Sequence, residues 1–202
     1  MNDSTARERL LHLARRRPVL TTADVVASGI HTQQLSRLVQ AGVLERIARG
    51  QYRLPEQPIS EHHGLAVAAG AVPQGVICLL SALSFHGIGT QIPFEVWLAI
   101  SRRARRPALR YPPIRVVRFG GRALTEGIEM HDIEGRKVRV YCVAKTLADA
   151  FKYRNKIGLD VVLEALRQAW WERRVRMDDL DRFARICRVQ RVMSPYLEAL
   201  VA

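Results

Sequence analysis

Residues 21–54, TTADVVASGIHTQQLSRLVQAGVLERIARGQYRL, restrict the fold more than any other stretch. Thr21 and Thr22 are candidate N-caps, because a hydroxyl accepts from the free N–H groups of a first helical turn. Val25 and Val26 supply the apolar side of a short helix, and Gly29 follows as a left-handed stop. Ile30 then falls in a turn, where it can plug the angle between two helices. A second helix is expected from His31 or Thr32, since Leu35, Leu38 and Val39 repeat at i, i+3 and i+4; Gly42 ends it. Two β-prone runs, residues 43–47 and 51–54, flank Ala48-Arg49-Gly50 as a hairpin. Upstream, Thr5–Arg17 reads as a helix with Leu10, Leu13 and Ala14 on one side to close a small core. Helix, helix, tight turn, helix and hairpin is the layout of a winged helix-turn-helix.

The polar face of that second helix carries Thr32, Gln33, Gln34, Ser36, Arg37 and Gln40. These are short hydroxyls, amides and one guanidinium, the groups that hydrogen-bond base edges and phosphates. Arg46, Arg49 and Arg53 make the hairpin a basic wing. The expected partner is double-stranded DNA. A formal net charge of +13 agrees with a polyanionic partner. The charge sits in two blocks: residues 1–54 are net +5, and residues 102–122 hold eight Arg and no acid. Arg102, Arg103, Arg105, Arg106 and Arg110 lie in a proline-interrupted loop after a predicted strand. The plain reading is a solvated loop. The functional one is a phosphate-binding loop that reinforces the DNA reader or meets an acidic or RNA partner.

Cys78, Cys142 and Cys187 are isolated and odd in number, which predicts free thiols in a reducing, cytoplasmic setting. No apolar run is long enough for a membrane span, and MNDSTARERL lacks the apolar core of a secretion signal.

Pro55-Glu56-Gln57-Pro58 reads as a linker, which divides the chain into residues 1–54, a linker at 55–59, and residues 60–202. Past the linker, Ser60 is a candidate N-cap for a helix over Glu61–Ala69. Strands are predicted over Val76–Leu80, Glu95–Ser101 and Ile114–Phe119, with a short helix at Ser81–His86. A hairpin, Ile128–Ile133 with Lys137–Val143, follows. Beyond it the pattern is helical: Thr146–Tyr153, Leu159–Arg174, a helix capped by Asp178, and one starting at Ser194-Pro195. The fold class is therefore α+β: a winged helix followed by a mixed α/β domain with a small sheet and a helical C-terminal end.

Catalytic and metal readings are weak. His62 and His63 are adjacent, so on a helix they point about 100° apart and cannot easily share an ion; a surface helix start is the simpler reading. Ser84 lacks a GxSxG elbow, and His86 before Gly87 reads as a helix end. Asp132-Ile133-Glu134-Gly135-Arg136-Lys137 is loosely like a metal-dependent nuclease site, but its Gly argues for a turn. No catalytic residue, metal or cofactor is expected.

The winged-helix pattern together with LLSALSFHGIGTQIP (79–93), EVWLAIS (95–101) and VYCVAKTLADAFKYRNKIGLDVVLEALR (140–167) resembles the AbiEi antitoxins of type IV toxin–antitoxin systems. The resemblance implies that the winged helix binds inverted repeats in its own operon promoter and represses it. It implies too that the C-terminal domain counteracts a nucleotidyltransferase-like toxin without forming a stable complex. Lys145, Asp149, Lys152 and Arg154 interleave with the apolar Leu147, Ala150 and Phe151. They are therefore the expected exposed antitoxin surface. Two alternatives remain at this level: a DNA-binding enzyme such as a nuclease with its site in residues 60–202, and a solitary regulator without a toxin.

Overall fold

The structure, a computed structural model, describes residues 3–17, 19–58, 60–109 and 111–201. They form two compact units. The first comprises Met1–Pro73, Pro107–Pro113 and His131–Val138; the second comprises Gln74–Arg106, Ile114–Met130 and Arg139–Ala202.

The first unit begins with α1 (Asp3–Arg16), β1 (Leu20–Thr21), α2 (Thr22–Ala27) and α3 (Gln33–Gln40), then the hairpin β2 (Glu45–Ala48) and β3 (Gln51–Arg53). The three strands pair antiparallel in the order β1-β3-β2. This is the winged helix expected from the sequence. Leu10, Ala14, Leu20, Val25, Ile30, Leu35, Leu38 and Leu44 make its core. Ile30 is buried in the turn, as its position predicts. Thr21 caps α2 through a capping box: its hydroxyl accepts from the Asp24 N–H, and the Asp24 carboxylate accepts from the Thr21 N–H. Gly29 and Gly42 follow α2 and α3 at φ +69° and +68°, where a Cβ is disfavoured.

The first unit does not stop at the proline pair. The Gln57 side chain donates to the Ala14 and Arg15 carbonyls at the end of α1. Helix α4 (His63–Ala71) packs on β3, and the buried Gln51 side chain donates to the Val67 carbonyl at 3.0 Å. The sequence pattern places this helix two residues early, because Ser60 is not its cap. Ser60 instead donates to Glu134 through both its backbone N–H and its hydroxyl.

The second unit is built on β4 (Val76–Ile77), α5 (Leu79–Phe85), β5 (Val96–Ser101), β6 (Ile114–Phe119) and α6 (Arg122–Thr125). The hairpin β7 (Ile128–Ile133) and β8 (Arg136–Tyr141) follows, its tip residues 131–138 counted with the first unit. The sheet order is β6-β5-β4-β8-β7. It is mixed: β4 and β5 are antiparallel, while β5 with β6 and β4 with β8 are parallel. The predicted strand over Val76–Leu80 ends early, and α5 begins at Leu79. Ser81 lies inside that helix, and its hydroxyl accepts from the Trp97 N–H at 2.9 Å, tying α5 to β5.

Helices α7 (Val143–Lys152), α8 (Arg154–Ile157), α9 (Leu159–Trp171), α10 (Met177–Cys187) and α11 (Gln190–Val201) complete the unit. α7 is buried along nearly its whole length and packs against α5, α9, α10 and α11. Pro195, predicted to open the last helix, sits inside α11 instead. α10 has Arg176 at its N-cap position, without a side-chain cap, and Asp178, predicted to cap it, lies in its first turn. No helix among the described residues is long and apolar enough to cross a membrane.

Candidate nucleic-acid interfaces

α3 presents the face predicted for it. Leu35 and Leu38 point into the core, while Gln33, Ser36, Arg37 and Gln40 are exposed and Thr32 and Gln34 are half-buried. Arg37 and Gln34 line a shallow recess of about 500 Å3 with Arg7, Glu8 and Leu11 of α1.

The wing arginines divide into two kinds. Arg46 and Arg49 are exposed, Arg49 at the turn and Arg46 beside a β-bulge. Arg53 is held down: its Nε lies 3.1 Å from Glu45 Oε2 and its Nη2 donates to the Pro55 carbonyl at 2.8 Å. Arg53 thus serves the hairpin. Its partner Glu45 sits opposite it in the β-ladder, a pairing that could have been read from a two-strand register.

A polar cluster secures the base of α2. Asp24 accepts from the Thr21 N–H and hydroxyl and ion-pairs with Arg17 and Arg136, the latter at 3.2 Å. Arg136 also donates to the Val19 carbonyl at 2.7 Å. Burial alone would raise the Asp24 pKa; the Thr21 hydrogen bonds and the two guanidinium groups outweigh it and hold the carboxyl below its usual range. Glu134 is held similarly. Burial opposes its charge, yet His63 Nδ1 at 2.8 Å and the two Ser60 donors keep its pKa low. His63 is therefore a buried partner of Glu134, not the surface residue its position at a helix start suggested. Asp132 pairs with Lys137 at 3.3 Å. Among the described residues, no group of three or more His, Cys, Asp or Glu could hold a metal ion.

The antitoxin-surface expectation fails for two of its four residues. Lys145 and Asp149 are 0% and 1% exposed and form an ion pair inside the second unit. Cys187 Sγ lies 3.2 Å from the second carboxylate oxygen of Asp149, and the Lys145 ammonium stands 4.1 Å from the Tyr141 ring centroid and 4.9 Å from that of Phe119. Burial is the main force raising the Asp149 pKa; Lys145 opposes it. Burial and the Asp149 charge push the Cys187 thiol up to about 12, so it is an inert donor rather than a thiolate. The amphipathic reading of α7 misled because this helix is wrapped on several sides. Lys152 is exposed and donates to the Cys187 carbonyl; Arg154 donates to the Phe151 carbonyl.

The arginine block is partly organised. Arg102 and Arg103 line a recess of about 1190 Å3 in the second unit, and Arg106 lines a smaller one of about 340 Å3. Arg105 is exposed and lines neither. Arg110 lies outside the described residues.

Comparison with known proteins agrees with this geometry. A crystal structure of the RV2827C protein from Mycobacterium tuberculosis shares the fold, with a TM-score of 0.60 at 15% sequence identity, over 89% of this chain and 71% of that one. No curated protein matches the chain in sequence. Residues 8–55 match the family described as "Transcriptional regulator, AbiEi antitoxin", the family that the sequence resembles.

Proposed function

We propose that the chain is a non-enzymatic repressor and antitoxin. The winged helix of residues 1–54 binds inverted repeats in the double-stranded DNA of its own promoter, and residues 60–202 counteract a nucleotidyltransferase-like toxin without a stable complex. The observation that carries the first half is the exposed polar face of α3 on a winged-helix scaffold, flanked by Arg46 and Arg49. N-terminal residues of a recognition helix reach deepest into the major groove, which assigns Thr32, Gln33, Ser36 and Arg37 to base edges. The second half is supported by the family match of residues 8–55, and needs a cognate toxin to act on.

Gel-shift titration on promoter DNA tests the reading. Arg37→Ala is expected to weaken operator binding by about 1–3 kcal/mol and to relax sequence preference. Arg49→Ala is expected to weaken binding to every duplex alike and to lower the salt slope by about 0.9. Arg53→Ala, whose side chain is engaged by Glu45 and Pro55, should leave that slope unchanged. Wild-type affinity and slope in both Arg37→Ala and Arg49→Ala would remove the winged helix from DNA binding. Co-expression with a neighbouring nucleotidyltransferase gene, scored by growth, tests the antitoxin half; no rescue by the wild-type chain refutes it.

A further inference from the structure

The recess of about 1190 Å3 has an unusual lining. Arg102, Arg103, Arg118, Arg122 and Lys152 supply cations, and so do Arg182, Arg185 and Arg188 from α10 and its end. Among the described residues, no carboxylate lines it. Three of its cations are partly neutralised from behind: Glu126 pairs with Arg122 and Arg182. Asp181 pairs with Arg185. Arg102, Arg103 and Arg188 make no ion pair with any described residue.

The lining is also built. Arg118 Nη1 donates to the carbonyls of Ser101, Arg102 and Ala104 at 3.2, 2.9 and 2.7 Å, and so fixes the turn that presents Arg102 and Arg103. Arg188 closes α10 in the left-handed region at φ +60°, a position where glycine is favoured. An arginine there brings a guanidinium to the recess despite that backbone strain.

The basic surface continues into two adjoining recesses. The recess shares Arg118 with the smaller one that holds Arg106 and Arg115, and shares Arg185 and Arg188 with another of about 310 Å3 that holds Arg191. Among the described residues one carboxylate, Glu95, lines this whole track, and it pairs with Arg115 at 2.8 Å. Tyr153 also lines the central recess. Its ring is half-buried and tilted 59° to that of Phe119, with centroids 6.0 Å apart and the Lys156 ammonium 5.5 Å from its own centroid.

We infer that this track binds a single strand of nucleic acid, with the arginines on successive phosphodiesters and Tyr153 as a stacking platform for a base. Cations that continue from one recess into two adjoining ones match a polymer rather than one phosphate or one nucleotide. A basic groove with an aromatic platform is the usual construction for single strands. The site goes beyond the operator-binding reading and does not depend on it.

The test is fluorescence anisotropy of the full chain with labelled single-stranded RNA and DNA 12-mers, against a hairpin duplex of unrelated sequence and a nucleoside triphosphate as competitors. The variant is Arg103→Ala/Arg188→Ala, two exposed side chains without a carboxylate partner. Removing one cation from a phosphate should lower the salt slope by about 0.7, so the double variant should bind with a slope about 1.4 smaller and roughly 25-fold more weakly near 0.1 M salt. Arg37→Ala/Arg49→Ala should bind the single strands like the wild type, which separates this site from the winged helix. Preference for RNA over DNA, or the reverse, identifies the natural strand; both support the site. Four outcomes overturn it: no binding, a slope unchanged in the double variant, displacement by the nucleoside triphosphate at equal concentration, or displacement by the hairpin duplex at equal concentration. Unchanged circular dichroism of the double variant ensures that weaker binding reports the site rather than unfolding.

Discussion

Lys145→Met should be among the most destabilising single substitutions in the second unit, and Asp149→Leu added to it should restore most of the stability. The ammonium and the carboxylate are both sealed from solvent. Removing the ammonium strands Asp149 with Cys187 Sγ as its remaining side-chain hydrogen-bond donor, and removes the cation held over Tyr141 and Phe119. Breaking one side of a buried pair costs about 3–5 kcal/mol, whereas replacing both partners by apolar groups of similar volume is often neutral or stabilising. In a chain of 202 residues, 1 kcal/mol moves Tm by roughly 2–4 °C. The single variant should therefore melt roughly 6–20 °C below wild type, and the double variant within a few degrees of it. All three tryptophans, Trp97, Trp170 and Trp171, belong to the second unit, so their emission reports the right part of the chain. The pH dependence carries a sign. Burial already raises the Asp149 pKa, and removal of Lys145 raises it further. A raised native pKa gives stability that is full below the ordinary carboxylate range and is lost as pH rises through the native value. The single variant should thus be rescued by acid. Equal Tm for wild type and Lys145→Met, or a double variant no better than the single, would refute the reasoning.

Two further outcomes test the first unit. Glu134→Gln should cost about 1.5–3 kcal/mol, the range for hydrogen bonds to a charged group, because His63 and Ser60 both serve the carboxylate. The Glu134 pKa is lowered, so its contribution is present above about pH 4.3 and lost as pH falls below that value. Urea midpoints of the variant should therefore vary less between about pH 5 and 3 than those of wild type; parallel curves would contradict the assignment. Gly70→Ala sets two effects against each other. Helix propensity favours Ala by about 1 kcal/mol. A Cβ there would stand 2.9 Å from Gln51 Oε1 and 3.3 Å from Arg136 Nε, and Gln51 is buried and bonded to Val67. Overpacking costs about 1–3 kcal/mol, so a net decrease is expected in the urea midpoint, and an increase would show that Gln51 yields.

The winged helix was legible because its signals are local. Capping at Thr21, glycine stops at 29 and 42, and the Leu35/Leu38 spacing each depend on neighbours within one turn. In the second unit, strands such as Ile114–Phe119 were legible from β-propensity, but the parallel pairing of β5 with β6 was not. Parallel pairs need a crossover, and no short local pattern encodes it. The same limit explains Lys145 and Asp149. Their i, i+4 spacing reads as a solvent-facing pair on an amphipathic helix, and the packing of α5, α9, α10 and α11 on α7, with Tyr141 and Phe119 against Lys145, buries it. His63 misled for the opposite reason: its partner, Glu134, is 71 residues away. The arginine block announced itself by composition. What sequence could not show was that α10 and its Arg188 cap line the same recess.

The distribution of carboxylates bears on why so much positive charge persists. Like charges crowded around a recess repel one another and lower the stability of the folded chain, so an arginine without a partner carries a penalty that packing alone does not offset. In the first unit three arginines are neutralised: Arg17 and Arg136 converge on Asp24, and Arg53 meets Glu45. The acid- and base-rich hairpin tip, which in sequence loosely resembled a nuclease site, has its charges engaged in the same way by Ser60, His63 and Lys137. In the second unit Glu126 and Asp181 meet three arginines, and Arg102, Arg103 and Arg188 are left facing a common recess. Neutralising one of those three should therefore stabilise the free protein while weakening its hold on a polyanion. A substitution that moves stability and binding in opposite directions marks a group placed for a ligand. The buried Lys145–Asp149 pair should behave in the other way, with stability lost first.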